Sequence, residues 1–346
     1  MLREITTLVF RGGGEKPTGP DMDGMLNKLD SHIHEMSNVI EPVLESKPRT
    51  PFNSGLPTEQ LSMANLSVRQ KLRVVPKMLP LMYNMQKGSR LYKRRFQPKS
   101  DHASYRFIEQ LEALAYDYGV QDIAYVKVPR TAIFKDKAIP EQYAIIFTVG
   151  MEKEPIETAP SFDTQIEVMR GYKDMAVISS KLAIFLRKNG YAAYPGTALG
   201  GTTEYVYLAE LAGLGAIGYH GLLISPHTGA RLRINTIYTN IENLPIAETN
   251  EHLWVRDFCS MCKKCIRKCP VGAIYDEPKP RGDGGMQTID HATCRDYFAQ
   301  NFGCGVCLAV CPFSQVGYDK VKERFKGNPT APQFVIPVKA IQIAQE

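Results

Sequence analysis

Eight cysteines are the chemistry-bearing residues this chain groups most tightly, and all lie in its last third, at 259, 262, 265, 269, 294, 304, 307 and 311. Four fall in "CSMCKKCIRKCP" (259–270), a C-x2-C-x2-C-x3-C-P run. Zinc ribbons use pairs of C-x2-C, whereas this run is the spacing that wraps a cubane iron–sulfur cluster, with three thiolates on one cluster and the fourth reaching across to a second. In "CRDYFAQNFGCGVCLAVCP" (294–312) the C-x2-C-x3-C-P part of a second run is present and its remaining cysteine is displaced to Cys294. The ligand count then closes on two [4Fe-4S] clusters. Cys259, Cys262, Cys265 and Cys311 hold one; Cys269, Cys294, Cys304 and Cys307 hold the other. No thiol is left over for zinc or nucleophilic catalysis, and a chain of this length in a reducing compartment needs no disulfide staples. Clusters of this kind pass single electrons at low potential, about −400 mV for ferredoxin types.

The elements around the cysteines must place an electron acceptor. At 346 residues, with 44% hydrophobic and 23% charged residues, the chain suits about two soluble globular domains. No run approaches the ~18 apolar residues of a membrane helix. The opening "MLREITTLVFRGGGEKP" has too short an apolar stretch for a secretory signal, and "KRRF" at 93–96 lies too far in for a twin-arginine signal, so a cytoplasmic location is expected. The net charge of +6 is modest, but basic residues gather in 68–99. That segment is a candidate contact for a membrane surface, an RNA or an acidic partner, weighed against the commoner solvated helical face.

Four regions are expected: a helical or irregular arm over 1–100, an α/β domain over 101–250, a ferredoxin-like two-cluster domain over 251–315 and a tail over 316–346. Within the arm a helix is expected over 21–45, with proline breaks at 48, 51 and 57. In "SYRFIEQLEALAYDYG" Phe107, Leu111, Leu114 and Tyr118 repeat at helical spacing, and Gly119 supplies the stop. "IAYVKV" and "YAIIFTVG" read as strands. A long helix from about Asp163 to Lys188 carries the stripe Val168, Tyr172, Met175, Ser179, Leu182 and Leu186, ended by Gly190. "EYVYLAELAG" reads as a short helix, and "LLISPHTGARLRINTIYT" as two strands around a Pro-His-Thr-Gly turn. Strand alternation puts Arg231, Arg233, Asn235 and Ile237 on one face and Leu232, Ile234 and Tyr238 on the other.

Two glycine-rich stretches are decoys. "GLGAIG" (Gly213, Gly215, Gly218) follows a helix and precedes a strand, the reverse of a dinucleotide-binding loop, and "GTALGGTT" lacks the lysine of a phosphate-binding loop. His220 and His227 flank the "LLIS" strand and read first as turn or packing residues. Trp254, the only tryptophan, is expected to shield a cluster from water.

"SSKLAIFLRKNGYAAYP", "AELAGLGAIGYHGLLISPHTGARLRI", "FCSMCKKCIRKCPVGAI" and "GCGVCLAVCPF" together resemble the catalytic subunits of cobalamin-dependent reductive dehalogenases and, more distantly, epoxyqueuosine reductases. The likeness runs over about 163–315 in preserved order. It implies a nitroreductase-like α/β domain holding base-off cobalamin, reduced through the two clusters of the ferredoxin-like domain. The chain has no D-x-H-x-x-G box for a histidine on cobalt, since "DSHIHE" (30–35) lacks the glycine. Only a short tail follows Cys311, where epoxyqueuosine reductases carry a helical-repeat region for tRNA. The chain departs from the dehalogenases in its leader and in "PGTALGGTTEY", which stands where they carry an asparagine-containing loop.

The resemblance further implies roles for individual residues. Tyr172 becomes the proton donor, Arg233 the cation beside it, and Asp174 the rival acid used by epoxyqueuosine reductases. On periodicity alone Tyr172 is a half-buried core residue, and Asp174 falls about 200° around the helix from it. Gly200, Gly201, Gly213, Gly215, Gly218 and His220 are the expected cobalamin contacts. The reading is a cytoplasmic reductase that removes halide, or a related leaving group, from a small organic molecule. Its electrons come from a low-potential donor of ferredoxin or flavodoxin type, and no specific nucleic acid is expected. An epoxyqueuosine-reductase-like enzyme and a two-cluster electron-transfer protein without catalysis are the alternatives.

Overall fold

The computed structural model describes residues 29–50, 56–282 and 285–327. Of the helix expected over 21–45, residues 21–28 lie outside these. Helix covers 29–34 and stops there, because Asn38 turns into the left-handed region at φ 58° and Ile40 leaves to pair with Ile139 through two backbone bonds of 2.9 and 3.0 Å.

The basic segment is largely one helix, α1 (Val68–Ser89), capped by a reciprocal Ser67–Gln70 box. Its buried positions Val74, Leu81, Met85 and Gly88 turn one face inward. At Gly88 a Cβ would come within 3.1 Å of the Pro195 ring, so glycine lets the helix end close against the sheet. Helix α2 (Tyr105–Asp117) stops at Gly119, which takes φ 95°. Strand β1 (Asp122–Lys127) pairs antiparallel with β2 (Tyr143–Gly150). The short α3 (Lys153–Glu157) precedes the 27-residue α4 (Phe162–Lys188). The stripe of α4 is buried at Val168, Met175, Ser179, Leu182 and Leu186, with Tyr172 half-buried.

Strand β3 (Ala193–Pro195), helix α5 (Tyr205–Leu211), the two-residue strands β4 (Ala216–Ile217) and β5 (Leu223–Ile224), and β6 (Leu232–Thr239) complete the region. The main sheet runs β1-β2-β6-β3 and every pairing is antiparallel. Alternation along β6 decides what each face covers. Ile237 joins the core under α2 and α4, while Leu232 and Tyr238 join the opposite core with α5 and residues from the first described helix.

A third core holds the cysteine-bearing elements. Helices α6 (Trp254–Cys262) and α7 (Lys264–Lys268) meet at Lys263, in the left-handed region at φ 45°. The hairpin β7 (Ile274–Pro280) and β8 (Met286–Ile289) follows, then α8 (His291–Gln300), α9 (Val306–Ala309), α10 (Pro312–Gln315) and α11 (Tyr318–Arg324). Trp254 stands among Phe313, Tyr318 and Phe325, and its indole N–H donates to the Tyr318 hydroxyl at 2.9 Å. Among the described residues no helix is long and apolar enough to cross a membrane.

Candidate active site and cluster-binding domain

The two halves of the molecule are pinned by the turn after β5. At Gly229 a Cβ would run into the Phe313 backbone, so glycine permits the turn to lie directly on α10. Ala230 N–H donates to Ser314 Oγ at 3.3 Å, Arg231 Nε to the Ser314 carbonyl at 3.3 Å, and Lys153 Nζ to the Gln315 carbonyl at 2.8 Å. A second pin is the buried Glu210–Arg256 pair. Glu210 also accepts the Ile217 N–H at 2.7 Å, so one carboxylate ties α5, the glycine block and α6 together.

None of the eight cysteines is paired in a disulfide. The charges that Cys259 senses are those of Cys311, Cys265 and Cys262, and burial with these neighbours pushes its thiol well above the ordinary value. Cys294 senses Cys304 and Cys269, and burial raises it to about 11. The Cys307 thiol is raised by burial and then by Cys304, Cys294, Cys265 and Cys269. Cys311 is pushed up to about 12, again mainly by burial. Such thiols ionise together only when cationic iron compensates them. The donor set therefore fits iron–sulfur clusters. Among the described residues no three His, Cys, Asp or Glu side chains converge as a mononuclear site would require, and a cubane, which spreads its thiolates over the corners of a cube, does not require it.

Tyr172 and Arg233 come together. The guanidinium carbon lies 4.7 Å from the Tyr172 ring centre, a cation–π contact. Gly171 makes room for it, since a Cβ there would sit 3.0 Å from Arg233 Cγ. Tyr172 packs against both the core under α4 and the core that contains Cys259, Cys265 and Cys311. It therefore occupies the seam between the sheet and the cluster-binding elements. Asp174 points elsewhere, paired with Arg170 and Lys173 at 2.8 Å each. Arg170 in turn bonds Glu167, which accepts the Glu152 N–H at 2.6 Å.

Two buried donors on β6 have no partner among the described residues, Arg233 Nε, whose guanidinium lies over Tyr172, and Asn235 Nδ2. They lie on the same face of β6. Asn235 is fully buried and spends its carbonyl oxygen on the Thr236 N–H at 2.8 Å. Thr197 Oγ1, in the segment after β3, is also buried without a partner among the described residues. Native interiors rarely leave such groups unpaired, and an amide-rich macrocycle between α4 and the sheet would satisfy them. At Gly200, φ 123° with nothing within 4 Å of a Cβ, the adjoining loop stands open. These residues fit a corrinoid. Asn235 was legible only as a neighbour of Arg233 on its strand face; its unpaired amide required the tertiary structure.

The other four glycines expected to touch cofactor, unlike Gly200, have neighbours within the chain. Gly215 abuts the Ile224 backbone carbonyl and Gly201 abuts the Tyr205 hydroxyl, so in both places the chain itself occupies the side-chain position. Gly213, at φ 77°, lies near Ala247 and Thr249. Gly218 sits between Ile224, His220 and Cys259. His220 is 4% exposed, and burial lowers its pKa to about 4. His227 is exposed and pairs with Asp122 at 2.6 Å.

Comparison with known proteins bears on the same two halves. The 4Fe-4S dicluster domain family matches residues 258–324. Tetrachloroethene reductive dehalogenase of Desulfitobacterium hafniense is 36% identical over 197 residues, covering 53% of this chain and 34% of the relative. Over about half of its length the chain is similar to reductive dehalogenases. Epoxyqueuosine reductase of Listeria monocytogenes is a more distant relative, 24% identical over 274 residues, with 64% of this chain and 67% of that protein covered. The solved catabolic reductive dehalogenase NpRdhA aligns at a TM-score of 0.65 and 20% identity, over 90% of this chain and 47% of that one, and so shares the fold. The chain thus spans about a third to a half of the length of these dehalogenases. The matches agree with the expected α/β region followed by an iron–sulfur domain.

Proposed function

We propose that the chain is a cytoplasmic, cobalamin- and iron–sulfur-dependent reductase that removes halide from a small organic substrate. The observation that carries this reading is the Arg233–Tyr172 contact at 4.7 Å, in the seam between the sheet and the cysteine elements. Bound cobalamin would supply the strong reductant at the substrate carbon, and two [4Fe-4S] clusters would refill it one electron at a time. The residues themselves do the rest. Tyr172 Oη delivers a proton to the carbon that loses its leaving group, and the permanent charge of Arg233 steadies the phenolate left behind. Asn235 Nδ2 and Arg233 Nε offer hydrogen bonds to cofactor or substrate oxygens. Burial of the seam by Met151, Val168 and Met175 limits water, which would otherwise compete for the proton.

The cluster ligands in this reading are Cys259, Cys262, Cys265 and Cys311 for one cubane and Cys269, Cys294, Cys304 and Cys307 for the other. A reduced ferredoxin or flavodoxin is the proposed donor. The ion pairs of Asp174 with Arg170 and Lys173 speak against the aspartate-donor route, because they engage both carboxylate oxygens and turn them toward two cations. Anaerobic reconstitution with iron, sulfide and cobalamin, followed by turnover of chloroethenes, halogenated phenols and epoxides with a low-potential dye, tests the reading. Halide release with bound corrinoid supports it. Failure of the reconstituted protein to retain corrinoid would overturn it.

A further inference from the structure

His220 lies at the end of the glycine block, on a segment that faces the cysteines rather than the open end of the site. Three observations fix its surroundings. The backbone N–H of Tyr219, the preceding residue, donates to the Cys259 sulfur. A Cβ built on Gly218 would stand 3.2 Å from His220 Cε1 and 3.5 Å from Cys259 Sγ, so imidazole and thiolate flank one point. The Leu222 N–H donates to His220 Nδ1 at 3.2 Å. That last bond fixes the tautomer. With Nδ1 accepting, the ring hydrogen resides on Nε2. Nε2 is nevertheless buried and without a partner among the described residues, in a side chain only 4% exposed.

A buried N–H donor left empty is unfavourable, and this one belongs to a ring that shares the space beside Gly218 with the Cys259 sulfur. We propose that His220 donates its Nε2–H to the cluster held by Cys259, Cys262, Cys265 and Cys311, and so raises that cluster's reduction potential. The physical reason is charge. Reduction adds one electron to an already anionic thiolate cluster, and a donor aimed at its sulfurs stabilises the more negative form more strongly. The cluster at the seam with Tyr172 thereby becomes the favoured resting place of the electron, ahead of the more remote cluster. No proton is transferred, and the imidazole stays neutral throughout.

This inference rests on the two-cluster reading, which iron and sulfide analysis of the full chain checks separately. The test is an EPR-monitored redox titration of reconstituted wild type, His220→Leu and His220→Gln. In His220→Leu one of the two midpoints is expected to fall by about 59 mV, a tenfold change in a one-electron equilibrium, with the other unmoved. His220→Gln, which keeps an N–H donor, is expected to restore at least half of the shift. Unchanged midpoints in an iron-replete His220→Leu protein overturn the proposal. Should that variant not load iron, pulsed EPR of reduced wild type grown on isotopically labelled histidine decides. A histidine nitrogen coupling to a reduced cluster, absent from His220→Gln, supports the donor bond; no histidine coupling overturns it.

Discussion

The Arg233 guanidinium lies over the Tyr172 ring at 4.7 Å, although the two residues come from different elements, a helix and the strand it covers. The expected outcome of Tyr172→Phe is a protein that keeps its iron and its fold but loses most turnover, about 10²-fold or more for a removed general acid. Asp174→Asn is expected to be far milder on turnover and to cost about 0.5 kcal/mol, the ordinary scale for a partly exposed ion pair. Steady-state halide release and denaturant midpoints measure both. The reverse ranking would move the chemistry to the aspartate.

Cys294 is the proposed displaced ligand, set apart in sequence but sensing Cys304 and Cys269. Cys294→Ser should therefore lose roughly half of the iron and spare one cubane. Iron analysis with EPR of the reduced protein reads this directly, and two intact clusters in the variant would refute the ligand assignment.

Gly215 gives a different expectation from the one its sequence context suggests. Its missing side chain faces the Ile224 carbonyl of the same chain, so Gly215→Val forces β4 away from β5. A loss of about 1–3 kcal/mol, the range for overpacking, is expected in chemical denaturation. A variant of unaltered stability that fails to bind corrinoid would return this glycine to the cofactor.

Glu167 supplies a pH dependence. Burial works against its charge, but the hydrogen bonds from Arg170 and from the Glu152 N–H outweigh it, and its pKa is lowered. A carboxylate depressed in the folded state contributes stability that is present above its unfolded value, about 4.3, and is lost as pH falls through the lower folded value. Denaturation midpoints of wild type should therefore decline on acidification below about pH 5 more steeply than those of Glu167→Gln. Parallel acid limbs would show that the network around Arg170 does not depend on this charge.

Much of the scaffold was readable residue by residue. The apolar stripe of α4 follows from the helical period alone, and Gly119 and Gly190 end their helices in left-handed conformations of 95° and 91° as their positions suggest. The strands β1, β2 and β6 follow from β-branched and aromatic runs between turn residues. The helix expected over 21–45 ends early within the described part, because a left-handed Asn38 and the pairing of Ile40 with Ile139 outcompete local propensity. The basic stretch that begins at 68 carried no interior partner in its charge pattern, yet Val74, Leu81 and Met85 of α1 are buried there.

What the sequence determined by itself is what short-range geometry controls: the cysteine intervals that suit cubanes, the period that brings Tyr172 to the inner stripe, and the alternation that sets Arg233 and Asn235 on one strand face. Tertiary structure decided which of these groups meet. The thiol of Cys259 senses Cys311, Arg233 crosses to Tyr172 over Gly171, Gly215 closes on Ile224, and His220 flanks Gly218 opposite Cys259. The division has a simple cause. Periods of 3.6 and 2 are properties of the backbone of one segment, whereas contacts between distant segments depend on strand register and on how the separate cores pack together, and no single stretch of chain encodes either.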